Sequence, residues 1–365
     1  MRLIRNYFLR DWINSFLISL GIFTLVFSIG NLVKLVDLIV NKGVDPRSIL
    51  QLFLMMIPFS LVYTLPISTL IATLLIFGRA AADNEIVTLK ASGISAKKIS
   101  VPFIILGVVF SLVSFTFMDK LLPFTHYKSR EIVFNIGKKN PTAYLEPGTF
   151  IKSFKNHIIF FYDLKKNELK NIRIYVNEED RPLRTIIAQK AKITDIDDNG
   201  LTLRLYNGSS DEVDPKRPEE FYKLNFKEYI IHLDLGKANR EGTIDKKPEE
   251  YTIRELKNNI SKLTDEGVDT LPLSSELYKR YAQPFTCLAF ILIGLPLGIR
   301  TNRREKSVGF GIGLMIIMLY YVLFVASETL ILNGTIPAEI GHWIPTALIF
   351  IAGLILYINL DEVRG

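Results

Sequence analysis

The chain has 365 residues, a formal net charge of +7 and 49% hydrophobic residues, with charged residues at only 22%. That balance is too apolar for an ordinary soluble globular fold. A single cysteine, Cys287, and four scattered histidines (His126, His157, His232 and His342) exclude an internal disulfide framework and a Cys/His metal cluster. Nor is the positive balance a nucleic-acid signature, because Lys and Arg are divided between the flanks of apolar stretches and a mixed-charge central region.

Taken in order, the apolar stretches are Ile13 to Val33, Ile49 to Phe77, Ile99 to Met118, Tyr281 to Ile299, Val308 to Leu332 and Trp343 to Leu360. Of all the charged residues only Glu328 falls inside them. Each is close to the roughly 20 residues that a helix needs to cross about 30 Å of hydrocarbon, so six transmembrane helices are expected. The first is too long for a signal peptide and leads to Asn31 and Lys34 rather than to a small-residue cleavage site. Glu328 lies four residues before the end of the fifth stretch and reads as a hydrated position near an interface.

Short flanks rich in Lys and Arg mark the cytoplasmic side. Arg2, Arg5 and Arg10 precede span one; Arg79, Lys90, Lys97 and Lys98 follow span two; Arg300, Arg303, Arg304 and Lys306 follow span four. The opposite flanks hold only Lys34, Lys42 and Arg47. Both termini are therefore expected in the cytoplasm, with Asp119 to Arg280 outside, which is the periplasm if the cell is Gram-negative.

That external segment alternates apolar and polar residues, as in Ile172, Ile174, Val176, in Leu201, Leu203, Leu205 and in Ile231, Leu233, Leu235. Period two means half-buried strands. About six to eight antiparallel strands are expected over Gly148 to Leu235, packed as a sandwich or jelly roll. Turn chemistry falls at Asp197-Asp198-Asn199-Gly200 and at Asn207-Gly208, and Pro215 with Pro218 marks a loop. Thr252 to Leu263 carries a capping box, Thr252 with Glu255, and reads as a short helix returning the chain to the membrane. The division is then 1–118 for the first three spans, 119–275 for the external β-domain and return helix, and 276–365 for the last three spans.

Catalytic motifs are missing: there is no Walker A pattern, nucleophile elbow or metal motif, so a non-catalytic chain without cofactor or metal is expected. The informative segment is cytoplasmic, Asp83 to Gly93. Asp83 can cap a short helix, Ile86 and Leu89 share a face, and Gly93 can end it. A helix between two spans, acidic in its first turn, is a handle on which a soluble motor could push.

Glu85-Ile86-Val87-Thr88-Leu89-Lys90-Ala91-Ser92-Gly93 resembles the signature helix of the LptF/LptG (YjgP/YjgQ) lipopolysaccharide-export permease family. Glu276 to Pro284 followed by Gly294-Leu295-Pro296-Leu297-Gly298, the pair Tyr320-Tyr321, and Ile336-Pro337 before Trp343-Ile344-Pro345 are similar to further blocks of that family. So is the order of three spans, external β-domain and three spans. The resemblance implies an α-helical membrane protein with an inserted periplasmic jelly-roll-like domain, acting as the permease of an ABC-type exporter. It further implies a cytoplasmic ATPase dimer, a second permease of the same family paired through spans one and five, a periplasmic bridge protein and a membrane-anchored accessory subunit as partners.

On this resemblance Glu85, supported by Asp83 and by the small Ala91 and Gly93, contacts the ATPase. Lipopolysaccharide carries phosphates, so cations are expected at the outer face: Lys34, Lys42, Arg47, Lys128 and Arg130. The run Lys34-Leu35-Val36-Asp37 and the position of Arg130 lean toward the LptG branch. Ile172, Ile174, Leu203, Leu205, Ile231 and Leu233 would line an acyl groove if the β-domain is splayed open, or a closed core if it is not; alternation does not separate the two. The alternative reading is a membrane-anchored β-domain acting as an envelope scaffold or sensor. A secondary transporter ranks third, since it needs ionisable groups at mid-membrane that this chain lacks.

Overall fold

The computed structural model describes residues 2–40, 44–139, 151–154, 156–165, 168–176, 184–197, 200–214, 217–234, 246–265, 270–300 and 306–360. The contacts divide the chain into two units. One comprises Met1–Val33, Phe53–Lys128 and Lys246–Gly365; the other comprises Lys34–Leu52 and Ser129–Asp245.

The first unit is helical, and six helical segments are long and apolar enough to cross a membrane: Leu3–Gly30, Pro46–Ala82, Ala96–Val133, Leu271–Arg300, Gly309–Leu332 and Ala338–Ile358. The helices, of which residues 34–40, 46–52 and 129–139 are assigned to the second unit, are α1 (Arg2–Val40), α2 (Pro46–Ala82), α3 (Glu85–Ala91), α4 (Ala96–Thr116) and α5 (Leu122–Lys139). After the strands come α6 (Ile253–Asp265), α7 (Leu271–Ala282), α8 (Thr286–Arg300), α9 (Lys306–Leu332), α10 (Ala338–Gly341) and α11 (Trp343–Ile358). A single π turn, Phe117–Leu121, joins α4 to α5, so the third span runs on helically beyond Met118.

Two of the spans form the centre. In the most apolar windows of α2 and of α7–α8, 78% of residues are buried, against 17% for α1 and 22% for α9. Trp12, Phe77, Phe103 and Leu295 pack in one core cluster, and Leu70, Phe290, Tyr320 and Ile349 in another. Pro58 and Pro66 remain inside α2. Around Pro66, Ser68 donates to the Thr64 carbonyl and Thr69 to the Pro66 carbonyl, both at 2.6 Å, as polar groups in a dry interior must. Trp12 Nε1 donates to Thr73 at 3.0 Å, and Thr286 bonds both Tyr320 at 2.8 Å and Thr346 at 3.2 Å, tying α8 to α9 and α11.

The second unit holds one antiparallel sheet of seven strands: β1 (Ile151–Phe154), β2 (His157–Phe160), β3 (Asp163–Lys165), β4 (Glu168–Val176), β5 (Arg184–Asp197), β6 (Gly200–Asp214) and β7 (Arg217–Asp234). The order is β1-β2-β4-β5-β6-β7, with β3 on β4 beside β2. Apart from β2 beside β4, neighbouring strands in space are neighbours in sequence, and the inward residues form a single buried cluster. Ile172, Ile174, Leu203, Leu205 and Leu233 have no exposed surface and Ile231 is 6% exposed. In this conformation the alternating residues form a packed core, and a groove at these positions requires the sheet to open.

The hairpin between β5 and β6 falls where the turn residues predict it, with Asp197 opposite Gly200. Asn207-Gly208 corrects the sequence reading, for it lies in the middle of β6 rather than in a turn. Pro218 likewise lies inside β7, near the start of a strand at the sheet's end, where a missing N–H is tolerated.

Asn207 uses its left-handed backbone, φ 51°, to crease the sheet. Asn171 on β4 shares that conformation, and both face Gln189 on β5, between the paired rows Lys170–Lys190–Tyr206 and Ile172–Ala188–Gly208. Along all three strands the inward parity shifts at this row: Leu169 and then Ile172, Ala188 and then Ala191, Leu205 and then Gly208. Gly208 is required there, since an added Cβ would lie 2.2 Å from the Ile187 carbonyl and 2.5 Å from the Phe226 ring.

Candidate functional site

The short helix α3 lies between two spans and is fastened by one face. Ile86 is buried and Leu89 packs against the same core cluster, while Val87, Thr88, Ala91 and Ser92 face outward. Its C-terminus is closed by Gly93 at φ +80°: the Gly93 amide donates to Lys90 at 2.9 Å and the Ile94 amide to Leu89 at 3.0 Å. This paired pattern needs a left-handed residue, so glycine ends the helix as expected. At the other end Asp83 does not cap it. Helix α2 runs to Ala82 and the Asp83 amide still donates to Arg79 at 2.9 Å, so the reversal falls on Asn84, which occupies the cap position at φ 58° without a side-chain bond.

Glu85 opens the helix as a half-buried residue. The Tyr7 hydroxyl donates to its Oε1 at 3.4 Å; Arg79 donates to Tyr7 at 3.1 Å and pairs with Asp11 at 2.6 Å. The other oxygen, Oε2, has no partner among the described residues. That oxygen is enclosed, so the carboxylate sits half-buried at the edge of an outward face of small side chains and adds negative charge to it. Lys90 reaches the Leu360 carbonyl at 3.4 Å, which ties the same helix to the end of α11.

The expected phosphate-facing cations are spread over several helices. Arg47 is exposed on the first turn of α2, and Lys128 and Arg130 are half-buried on α5. Lys34 belongs to α1, but its side chain and the whole of Lys42 lie outside the described residues.

Sequence reasoning missed a second cluster. Arg280, fully buried, pairs through Nε with Glu276 at 3.0 Å and donates to the carbonyls of Tyr251, Glu249 and Pro248. Lys279 pairs with Glu276 at 3.1 Å and with Glu328 at 3.4 Å, so the intramembrane acid is met by a cation from α7. The available signal was the spacing of Glu276 from Lys279 and Arg280, three and four residues, at the start of an apolar run. Nearby, Asp119 on the π turn accepts from the Ile253 amide at 2.9 Å and so holds the first turn of α6.

Fold and site define a multi-pass membrane protein with an inserted antiparallel β-domain and a short docked helix between two of its spans. The sequence model of the family described as lipopolysaccharide export system permease LptF/LptG matches residues 6–359. The chain belongs to that family, and is a permease subunit of a lipopolysaccharide-exporting ABC transporter. It is 22% identical to the lipopolysaccharide export system permease protein LptF of Escherichia coli K12, over 98% of this chain and 94% of that protein, and equally to LptF of Shigella flexneri. An uncharacterised protein of Rickettsia prowazekii is 23% identical over 84% of each chain. The leaning toward the LptG branch finds no support here, since the named relatives are LptF and the family model spans both branches. A four-residue run at the end of span one is too short to separate them.

Proposed function

We propose that α3 receives the mechanical stroke of a cytoplasmic ATPase dimer, and that the stroke drives lipopolysaccharide from the membrane unit into the β-domain and on to a periplasmic bridge protein. The observation that carries this reading is a short helix between two spans, anchored by the buried Ile86, that opens with the half-buried Glu85 and leaves Val87, Ala91 and Gly93 exposed. The Lys and Arg bias of the flanks supports cytoplasmic termini and an inner-membrane location with the β-domain in the periplasm. The low burial of α1 and α9, the first and fifth spans, supports pairing with a second permease through those helices. Lys34, Lys42, Arg47, Lys128 and Arg130 then meet lipid phosphates at the outer face, and Asp83 adds negative charge beside Glu85. A membrane-anchored accessory subunit completes the assembly.

The test is Glu85→Lys in the reconstituted assembly. The variant is expected to fold and to retain permease pairing, but to lose ATP-driven lipid release, because a cation replaces the carboxylate at the docking face. Unchanged release by the variant would refute the assignment.

A further inference from the structure

The crease at Asn171, Gln189 and Asn207 opens, on the outward side of the sheet, a cleft of about 730 Å³. Its lining includes Tyr162, Asn171, Arg173, Gln189, Asn207 and Asn225, with Gly208 and the ring of Phe226 beneath. This volume lies in the range of ligand clefts, roughly 300–1,000 Å³. We propose that the cleft binds an acidic sugar unit, the saccharide part of the exported lipid. The proposal rests on the reading that the β-domain meets lipopolysaccharide, and deepens it by naming a second, polar contact outside the acyl-binding face.

Side-chain chemistry selects the ligand. Four primary amides from four adjacent strands each offer paired donors and acceptors, which match neighbouring sugar hydroxyls. Tyr162 and Phe226 supply aromatic surface for the apolar face of a pyranose ring. No Asp or Glu lines the cleft among the described residues. Lys223 has a carboxylate, Asp211, as its ladder neighbour, whereas the ladder neighbours of Arg173 are the apolar Phe160 and Ile187, so the acidic group of the sugar belongs at Arg173. A peptide fits less well: β4, β5 and β6 have both edges taken up in ladders, leaving no backbone for strand addition.

The crease permits clean variants. Asn171→Gly and Asn207→Gly keep the left-handed backbone while removing their amides, Gln189→Ala removes a third amide, and Arg173→Gln removes the cation. With the full chain in detergent, saturation-transfer NMR would be recorded for lipopolysaccharide deacylated to its phosphorylated oligosaccharide, with a neutral dextran oligosaccharide and inorganic phosphate as comparators. The deacylated oligosaccharide is expected to bind, about tenfold more weakly in Gln189→Ala or Asn207→Gly, and Arg173→Gln is expected to erase its preference over dextran. Equal binding by the variants, or full competition by inorganic phosphate alone, overturns the proposal. So does protection of the cleft from hydrogen exchange by a periplasmic protein and not by the oligosaccharide. If intact lipopolysaccharide still crosslinks to the β-domain while the oligosaccharide fails to bind, only the sugar site falls; if neither associates, the transport reading of the β-domain falls with it.

Discussion

Arg280 shows how one side chain can close an account that helix geometry leaves open. The chain turns from the 3-10 segment Pro248–Glu250 toward α6 with carbonyls that no strand or helix satisfies, and a buried guanidinium supplies the donors while Glu276 neutralises it. Arg280→Met should therefore destabilise the membrane unit by about 3 kcal/mol, since it strands buried acceptors and leaves Glu276 short of a partner. The measurement is thermal unfolding in detergent. Glu328→Gln should cost under about 1 kcal/mol by the same measurement, because its pair with Lys279 is long and the carboxylate is 32% exposed. Equal losses would mean that burial is not what gives Arg280 its weight.

Among the elements, helices α3 and α6 depend on their ends. Helix α3 spans only seven residues, and Gly93 at φ +80° supplies the closing turn. Gly93→Ala should cost about 1 kcal/mol locally, read as about fivefold faster hydrogen exchange at the Ile94 amide. An unchanged rate would show that the closing pattern does not hold the helix. Helix α6 begins in a true capping box: the Thr252 amide donates to Glu255 at 2.7 Å and the Glu255 amide to the Thr252 hydroxyl at 3.3 Å. Lys246 adds an ion pair at 2.6 Å. Burial pushes the Glu255 carboxyl up, but the Lys246 ammonium and the Thr252 donors outweigh it and hold it below the usual glutamate range. The contribution is therefore complete above the unfolded value of about 4.3 and is lost as pH falls through the lowered folded value. The protection factors of the first α6 amides, intrinsic pH-dependent exchange rates divided by the observed rates, should be flat from neutrality to about pH 5 and fall only in stronger acid; Glu255→Gln should remove that acid limb.

For the molecule as a whole, the closed β-core sets the question of passage. A saturated chain cannot enter a cluster whose inward side chains are at most 6% exposed, so transport through this domain requires strands to separate. A sheet in nearest-neighbour order has two end strands, β1 and β7, at which separation can begin without breaking the central ladders. With the single native thiol, Cys287, buried, Leu203→Cys should react slowly with a maleimide at rest and faster during ATP turnover in the reconstituted assembly. The same rate under both conditions would exclude opening at this position.

Span number, the inserted β-domain, the α6 cap and the α3 terminus at Gly93 were all legible in the sequence, because each depends on local chemistry: apolar run length, period two, Thr252 with Glu255, a glycine after an amphipathic turn. Residues whose role depends on a distant partner were not. Asn207-Gly208 has the composition of a hairpin turn, and only its registration opposite Gln189 makes it a crease. Asp83 is a natural cap, yet the extent of α2 moved the reversal to Asn84. Arg280 meets carbonyls about thirty positions away in the chain, a separation that no spacing rule reaches. The alternating side chains of the β-domain were marked correctly as inward. That they pack as one buried core was decided by the tertiary structure, since burial is a property of what lies opposite and not of the strand that carries it.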